Sequence, residues 1–330
     1  NLEVPLTDVC SPIDKCGPNL IAPTSTINGY KSIGVDFVTL ANNHIMDQGE
    51  QGLLSTCDLL RKNNIAYCGV GDNLNLAKVP YVFEISGKKI GIYACAEHEF
   101  SIATENSVGA NPFDPLESFD HVSYLKQEVD YVIVLYHGGK EHYRYPSPNL
   151  QRVCRKFVKS GADLVVCQHS HCIGCEEKYL DGTIVYGQGN FLFDDSESEF
   201  WQTSLLIRID DNFQVSYIPL VKNGNNVQIA SATASDRILK DFFARSEEIK
   251  RAGEIEKKYS EFAKKMIDDY LFRISGMGKS FAFRVLNKIT RRKYGRWKLK
   301  RIFGKQQFLS VQNVLECEAH RELFEEGLKR

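Results

Sequence analysis

Two histidines two residues apart, His169 and His171 in the segment CQHSHCIGC (167–175), are the strongest chemical signal in the chain. On an extended segment, side chains at i and i+2 point the same way, so both imidazoles are expected to face one point, as in a metal site. A polar loop that happens to carry two histidines is the competing reading of this motif taken by itself. Three further polar clusters decide between the two: ANNH (41–44), YHGGKEH (136–142) and GQGNF (187–191) each follow an apolar run, as QHSH does. Asn43, His44, His137, His169, His171 and Asn190 are therefore expected where strand ends converge. In open α/β sheets, ligands bind at that edge. Half of the chain's eight histidines fall in this set, which argues against chance.

Neutral imidazole suits zinc, manganese or iron, and an amide oxygen such as that of Asn43 accepts a harder metal. Adjacent Asn43 and His44 cannot point identically, so one can ligate metal while its neighbour faces substrate. A divalent ion brings the pKa of bound water to about 7, and a second ion ~3.5–4 Å away steadies the opposing oxygen of a displacement. Histidine supplies the general acid or a positive hydrogen-bond donor. The chemistry expected is hydrolysis, of a phosphoester or of an amide.

The elements that must carry these residues alternate in type. Residues 1–8 read as a strand end and loop, 9–25 as loop, 34–40 as a strand, 52–63 as a helix and 65–71 as the next strand. A hairpin about Ser86 and Gly87 follows over 81–97, then a polar loop containing proline, then a buried strand ending in His137. Leu150, Val153, Cys154, Phe157 and Val158 have helical spacing over 149–161. Residues 162–166 form the strand before His169, 183–194 repeat the pattern of strand then polar loop, and 204–221 form a hairpin turning at Asp211 and Asn212. Such alternation predicts a layered α/β domain closing near residue 232.

Other candidates carry less. Cys167, Cys172 and Cys175 have C-x4-C-x2-C spacing that could hold zinc or an iron–sulfur cluster, but they lack an evident fourth ligand, and buried thiols are the favoured reading. Glu97, His98 and Glu99 end a strand and read as an exposed acidic turn that could line the pocket. Glu141 and His142 are candidates to support the site from behind the ligands. Asp47 reads as a helix N-terminal charge.

At 330 residues, 43% hydrophobic and 25% charged with a formal charge of −1, the composition is that of a globular chain of one large domain plus an appendage. No apolar run approaches the ~20 residues that span a bilayer. Ten cysteines, several inside apolar runs, suit reduced thiols better than a disulfide framework, which points to a cytoplasmic setting without fixing it.

With these motifs in order, the chain resembles the CapA family of poly-γ-glutamate capsule-synthesis proteins, whose fold is similar to that of the calcineurin-like metallophosphoesterases. The resemblance runs from NLEVPLT through ANNHIMDQGEQGL, YHGGKEH, SGADLVV with QHSH, and GQGNFLFD, over roughly two thirds of the chain. It implies a metallophosphoesterase-like layered α/β sandwich over 1–232 with a helical, basic extension over 233–330. It also implies ligand roles: Glu3 binds or bridges metal, Asn43, His137 and His169 complete one site, His171 serves a second, and His44 is a substrate-facing acid. Glu141, Asn190 and His98 are assigned to substrate. The family's upstream strand ending in Gly-Asp has no counterpart before Asn1, and Gln168 and Ser170 replace the glycine or histidine and the proline common in the family. Two divalent ions (Mn, Zn or Fe) are thus expected, the second at an incomplete site.

The implied function is that of a metal-dependent hydrolase in capsule or cell-surface polymer metabolism, at the bacterial cell envelope. A non-catalytic polymer-binding or assembly protein of a capsule system, working with other capsule-synthesis proteins, is the alternative. Residues 273–305 carry twelve Lys or Arg and no acid, so the remainder is −13 by subtraction (−1 − 12). Interleaved aromatic residues fit this stretch to an anionic surface: poly-γ-glutamate, an acidic membrane face or, least favoured, nucleic acid. A solvated helical face is the bland reading of the same charges.

Overall fold

The computed structural model describes residues 1–193, 197–277 and 280–328. Asp194, at the end of the TIVYGQGNFLFD stretch, Lys279 of the basic run and the last two residues of the 233–330 extension lie outside the described residues. The chain divides into two compact units, Asn1–Tyr259 and Ser260–Arg330.

In the first unit, strand β1 (Phe37–Thr39) runs parallel to β2 (Ala66–Cys68), with helix α1 (Gly49–Lys62) between them in sequence. Leu53, Cys57 and Leu60 lie three and four residues apart on one face of α1, and they pack in one core with Leu2, Leu6, Val38 and Leu40. The single strand expected over 65–71 is broken at Gly69. Its φ is +86°, and a Cβ there would stand 2.7 Å from the Ala41 side chain. Residues 1–8 form no ladder; the Leu2 amide donates to the Thr39 carbonyl at 3.0 Å, and Leu6 makes one bridge to Ala22. This docks the segment bearing Glu3 beside the end of β1.

The main sheet contains β3 (Tyr81–Ile85), β4 (Lys88–Ala96), β5 (Tyr131–His137), β6 (Leu164–Cys167), β7 (Glu176–Tyr179) and β8 (Gly182–Val185), in the order β3-β4-β5-β6-β8-β7. The four inner strands are parallel to one another, and each outermost strand pairs antiparallel with its inner neighbour. The first of these hairpins turns at Ser86 and Gly87 as expected, with φ of 52° and 71°. Helix α2 (Ser118–Glu128) occupies part of what reads as loop in the sequence; its buried apolar face is thin, little more than Val122 and Leu125. Helix α3 (Pro148–Lys159) starts where Ser147 caps the Leu150 amide at 3.0 Å. Strand β7 was equally hidden, because its EEKY sequence carries no apolar alternation.

Alternation along the strands divides the core. Tyr93, Val132, Val134, Tyr136, Val165 and Ile184 face α2 and α3, whose Val122, Leu125, Cys154 and Phe157 complete that layer. Ile92, Ala94, Ile133, Leu164, Val166 and Val185 face the opposite way, against Ile207, Ile209, Val215 and Tyr217. Those four belong to the antiparallel strands β9 (Thr203–Ile209) and β10 (Val215–Asn223), which with β11 (Asn226–Ile229) form a second sheet. Ile238 and Phe242 of helix α4 (Ala232–Glu248) pack with Leu205 and Ile173. The result is the layered α/β body expected. Helices α5 (Glu254–Ser275), α6 (Phe281–Ile289), α7 (Lys293–Ile302), α8 (Lys305–Glu316) and α9 (Glu318–Leu328) make the C-terminal part helical, again as expected.

For the site the consequence is positional. Thr39, His137, Cys167 and Val185 are the last residues of β1, β5, β6 and β8, and each is followed within a few residues by one of the polar clusters.

Candidate metal centre

His137, ending β5, is fully enclosed at 1% exposure, and its Nε2 lies 2.9 Å from Asn43 Oδ1 and 2.8 Å from His169 Nδ1. Glu3 Oε1 lies 3.7 Å from His137 Nε2 on one side and 3.5 Å from His171 Nε2 on the other. Ligand atoms of Glu3, His137 and His169 all fall within 4.8 Å of one another, and all three side chains are buried. Among the described residues this is the one group of three or more His, Cys, Asp or Glu donors so close.

The expected extended geometry of the His-x-His segment is not what achieves this. Residues 169–172 form a bend after β6, and His171 has φ +52°, in the left-handed region. Both imidazoles nonetheless approach Glu3 and its neighbours. Ser170 sits under this bend, and Gly187 is required opposite it: at φ +107° a Cβ on Gly187 would lie 2.4 Å from Ser170 Oγ.

The donor set fits a divalent cation. Glu3 Oε1 is buried with no hydrogen-bond partner, although the other oxygen accepts from Asn1 Nδ2 at 3.0 Å. A buried carboxylate oxygen left unpaired is costly. Burial pushes the Glu3 carboxyl up to about 8. Burial, with the neighbouring imidazoles, holds His137 well below its ordinary value, takes His169 down to about 4 and lowers His171. Neutral imidazoles are the metal-ligating form, and a cation would reverse the preference of Glu3 for its proton. Atoms bound ~2.1 Å from one ion stand about 3 Å apart; the spacings around His137 Nε2 are close to that.

Residues behind the donors set their orientation. Glu99 Oε2 accepts the Asn43 side-chain N–H at 2.9 Å, so the amide turns its oxygen toward His137. Asn190 Oδ1 accepts from His171 Nδ1 at 2.8 Å, which leaves the lone pair on Nε2, the nitrogen facing Glu3. Asn42, fully buried, donates to the Leu2 carbonyl at 2.9 Å and accepts the His44 amide at 3.0 Å, tying the Glu3 segment to the 41–44 loop.

His44 donates its Nδ1 hydrogen to Asp47 Oδ2 at 2.6 Å. Asp47 is fully buried; it also accepts the Leu20 amide at 2.6 Å and pairs with Lys15 through its other oxygen. It is a partner of His44 rather than the simple helix-end charge that the sequence led one to expect. The Lys15 side chain is itself only 2% exposed, so the pair is a buried one.

The remaining candidates lie further out. Glu141 is exposed; burial pulls its carboxyl upward, but Lys140, His169 and His171 outweigh this and hold it below its ordinary value. His98 is exposed in the turn after β4. Glu97 accepts the Gly139 amide at 3.1 Å. Cys167, Cys172 and Cys175 are buried free thiols, with Cys167 Sγ 3.5 Å from Cys154 Sγ, and they form no metal-ligand group among the described residues. Sequence reasoning missed a wall of rings beside His171. Trp201 stacks on it at 5.1 Å and Phe193 lies at 5.0 Å, while His142 stacks on Phe200 at 5.3 Å.

The model of the bacterial capsule synthesis protein PGA_cap family matches residues 1–195. Capsule biosynthesis protein CapA of Bacillus anthracis is 26% identical over 230 residues, covering 67% of this chain and 56% of that protein. PGA biosynthesis protein CapA of Bacillus subtilis (strain 168) is 31% identical over 176 residues, covering 51% and 45%. The chain thus spans about half the length of the curated relatives it matches. A putative 5′-nucleotidase from Staphylococcus aureus is similar in structure at a TM-score of 0.39 and 16% identity, covering 66% of this chain and 44% of that one. For the NAD nucleotidase of Haemophilus influenzae the TM-score is 0.38 and the identity 15%, covering 67% and 43%. Likenesses this distant have no bearing on activity.

Proposed function

This chain belongs to the bacterial capsule synthesis protein PGA_cap family, and from that premise we propose that it is a divalent-metal-dependent hydrolase of capsule or cell-surface polymer metabolism. The observation that carries the reading is the unpartnered, buried Glu3 Oε1, set between His137 Nε2 and His171 Nε2 at 3.7 and 3.5 Å. Glu3, Asn43, His137 and His169 would hold one ion. His171, with Glu3 shared, would serve a second and weaker site. Bound ions would supply Lewis-acid polarisation and an activated water.

The chain's own residues have separable tasks in this reading. Asn190 and Glu99 orient two of the donors. Asp47 fixes His44 with its hydrogen on Nδ1, so that Nε2 is the nitrogen left to exchange a proton with substrate or leaving group. Lys15 neutralises Asp47 in its buried setting. Kinship with PGA biosynthesis protein CapA favours an anionic γ-glutamyl polymer as substrate, and the donor chemistry serves an amide or a phosphoester equally.

The test is to strip the protein with chelator, restore manganese or zinc, and assay a generic phosphodiester and a poly-γ-glutamate oligomer. Metal-dependent cleavage of either one, retained metal but lost turnover in His44→Ala, is the expected outcome. Full metal occupancy with no cleavage of either would instead support a non-catalytic protein that binds an anionic polymer.

A further inference from the structure

In the C-terminal unit, we infer that helices α6 and α7 form a docking surface for an anionic lipid bilayer. Residues 281–302 carry nine Lys or Arg and no acid. Two of these are used internally: Arg292 pairs with Asp269, and Arg296 lies 3.1 Å from Asp268. Arg284, Lys288, Arg291, Lys293 and Lys300 are exposed and make no ion pair among the described residues. Charge alone would suit any polyanion.

Apolar side chains narrow the choice. Phe281, Val285 and Ile289 recur at four-residue spacing along α6 and are 73%, 40% and 73% exposed, with Leu286 beside them at 40%. Phe283 points the other way and is buried, near the Phe272 and Tyr294 rings at 5.9 and 5.8 Å. The helix therefore has its own internal face already covered, and the exposed stripe is a second one. On α7, Trp297 is 51% exposed with the Arg301 guanidinium 4.5 Å over its ring. Ile289, Thr290, Arg291, Lys293, Tyr294 and Trp297 line an open hollow of about 620 Å³.

A polyglutamate chain would satisfy the cations and leave Phe281, Ile289 and Trp297 in water. A bilayer containing anionic lipid satisfies both, since apolar side chains enter the acyl boundary while Lys and Arg reach the headgroup phosphates. No described helix is long and apolar enough to cross a membrane.

The experiment is co-sedimentation of the full chain with vesicles of phosphatidylcholine alone and of phosphatidylcholine with one quarter phosphatidylglycerol, alongside a pull-down on immobilised poly-γ-glutamate and a sedimentation-velocity run. The expected result is binding to the phosphatidylglycerol vesicles only, weakened about tenfold or more both in Phe281→Ser/Ile289→Ser and in Lys288→Glu/Arg291→Glu/Lys300→Glu. All five positions are exposed, so melting curves of the variants should overlay the parent. Failure to sediment with anionic vesicles would overturn the inference. So would apolar variants that bind as well as the parent, polyglutamate binding in place of vesicle binding, or a dimer dissolved by Phe281→Ser/Ile289→Ser.

Discussion

Glu99 accepts a side-chain hydrogen of Asn43 at 2.9 Å, and the amide oxygen thus turned inward lies 2.9 Å from His137 Nε2. An amide can present either its oxygen or its NH2, and only the oxygen is a ligand. A carboxylate that reads in the sequence as part of an exposed turn therefore decides which end of Asn43 faces the donors.

Replacing that carboxylate should show as lost metal affinity. Glu99→Ala is expected to weaken manganese or zinc binding by about 10–100-fold, while Glu99→Gln, whose carbonyl can still accept the hydrogen, should lose much less. Isothermal titration of the two variants decides it; equal affinities would detach Glu99 from the site.

Asp47 should matter to turnover more than to metal. Asp47→Asn leaves every proposed ligand in place but weakens the hold on His44, and the expected fall in metal-dependent hydrolysis is about 100-fold or more. Because Lys15 would then be buried without its carboxylate, the same variant should also melt at a lower temperature, with unfolding free energy reduced by about 3–5 kcal/mol. Turnover is to be measured well below that melt, and undiminished turnover would remove His44 from the proposed chemistry.

Alkaline pH should destabilise the protein. Burial pushes the Cys68 thiol up to about 12 and raises Cys95, Cys154 and Cys175 as well. An unfolded thiol ionises near ~8.5, so above that pH the folded state binds more protons than the unfolded one and stability falls as pH rises toward 12. Urea melts at pH 8, 9.5 and 10.5 should show progressively lower midpoints, and a flat series would contradict the burial of these thiols.

Phe157 anchors the helical face of the main sheet. It is 0% exposed, with the rings of Phe119 and Phe113 at 4.9 and 5.7 Å. Phe157→Ala is expected to cost about 3–5 kcal/mol by chemical denaturation. A loss under about 1 kcal/mol would mean that the cluster can collapse into the gap.

What the sequence made legible followed from periodicity. The strands ending at His137 and Cys167, the helix behind them and the hairpin at Ser86 and Gly87 were all readable, because the strands are short unbroken apolar runs, the helix repeats its apolar residues at helical spacing and the hairpin carries a Ser-Gly turn between two apolar stretches. Helix α2 and strand β7 were not, since Val122 and Leu125 stand among polar neighbours and EEKY has no alternation. At the site, the histidines and Asn43 were visible as residue types suited to metal. Asp47 and Lys15 were not assigned to it, and Glu99 was read only as part of an exposed turn that could line the pocket, since a charged side chain reads as solvated until its partners are known. The wall of Phe193, Phe200 and Trp201 was hidden as well: nothing local says which way a ring in a loop or in the four-residue helix Glu199–Gln202 will turn.

The central claim is that Glu3, Asn43, His137 and His169 hold a divalent ion. Its most direct test is calorimetric titration of manganese into chelator-treated parent protein and into His169→Ala, with melting curves to confirm that both are folded. One ion bound tightly by the parent, with a second bound weakly or not at all, and loss of the tight ion in His169→Ala are the results this account predicts. Tight binding that survives unchanged in His169→Ala, or a folded parent that takes up no metal, would contradict it.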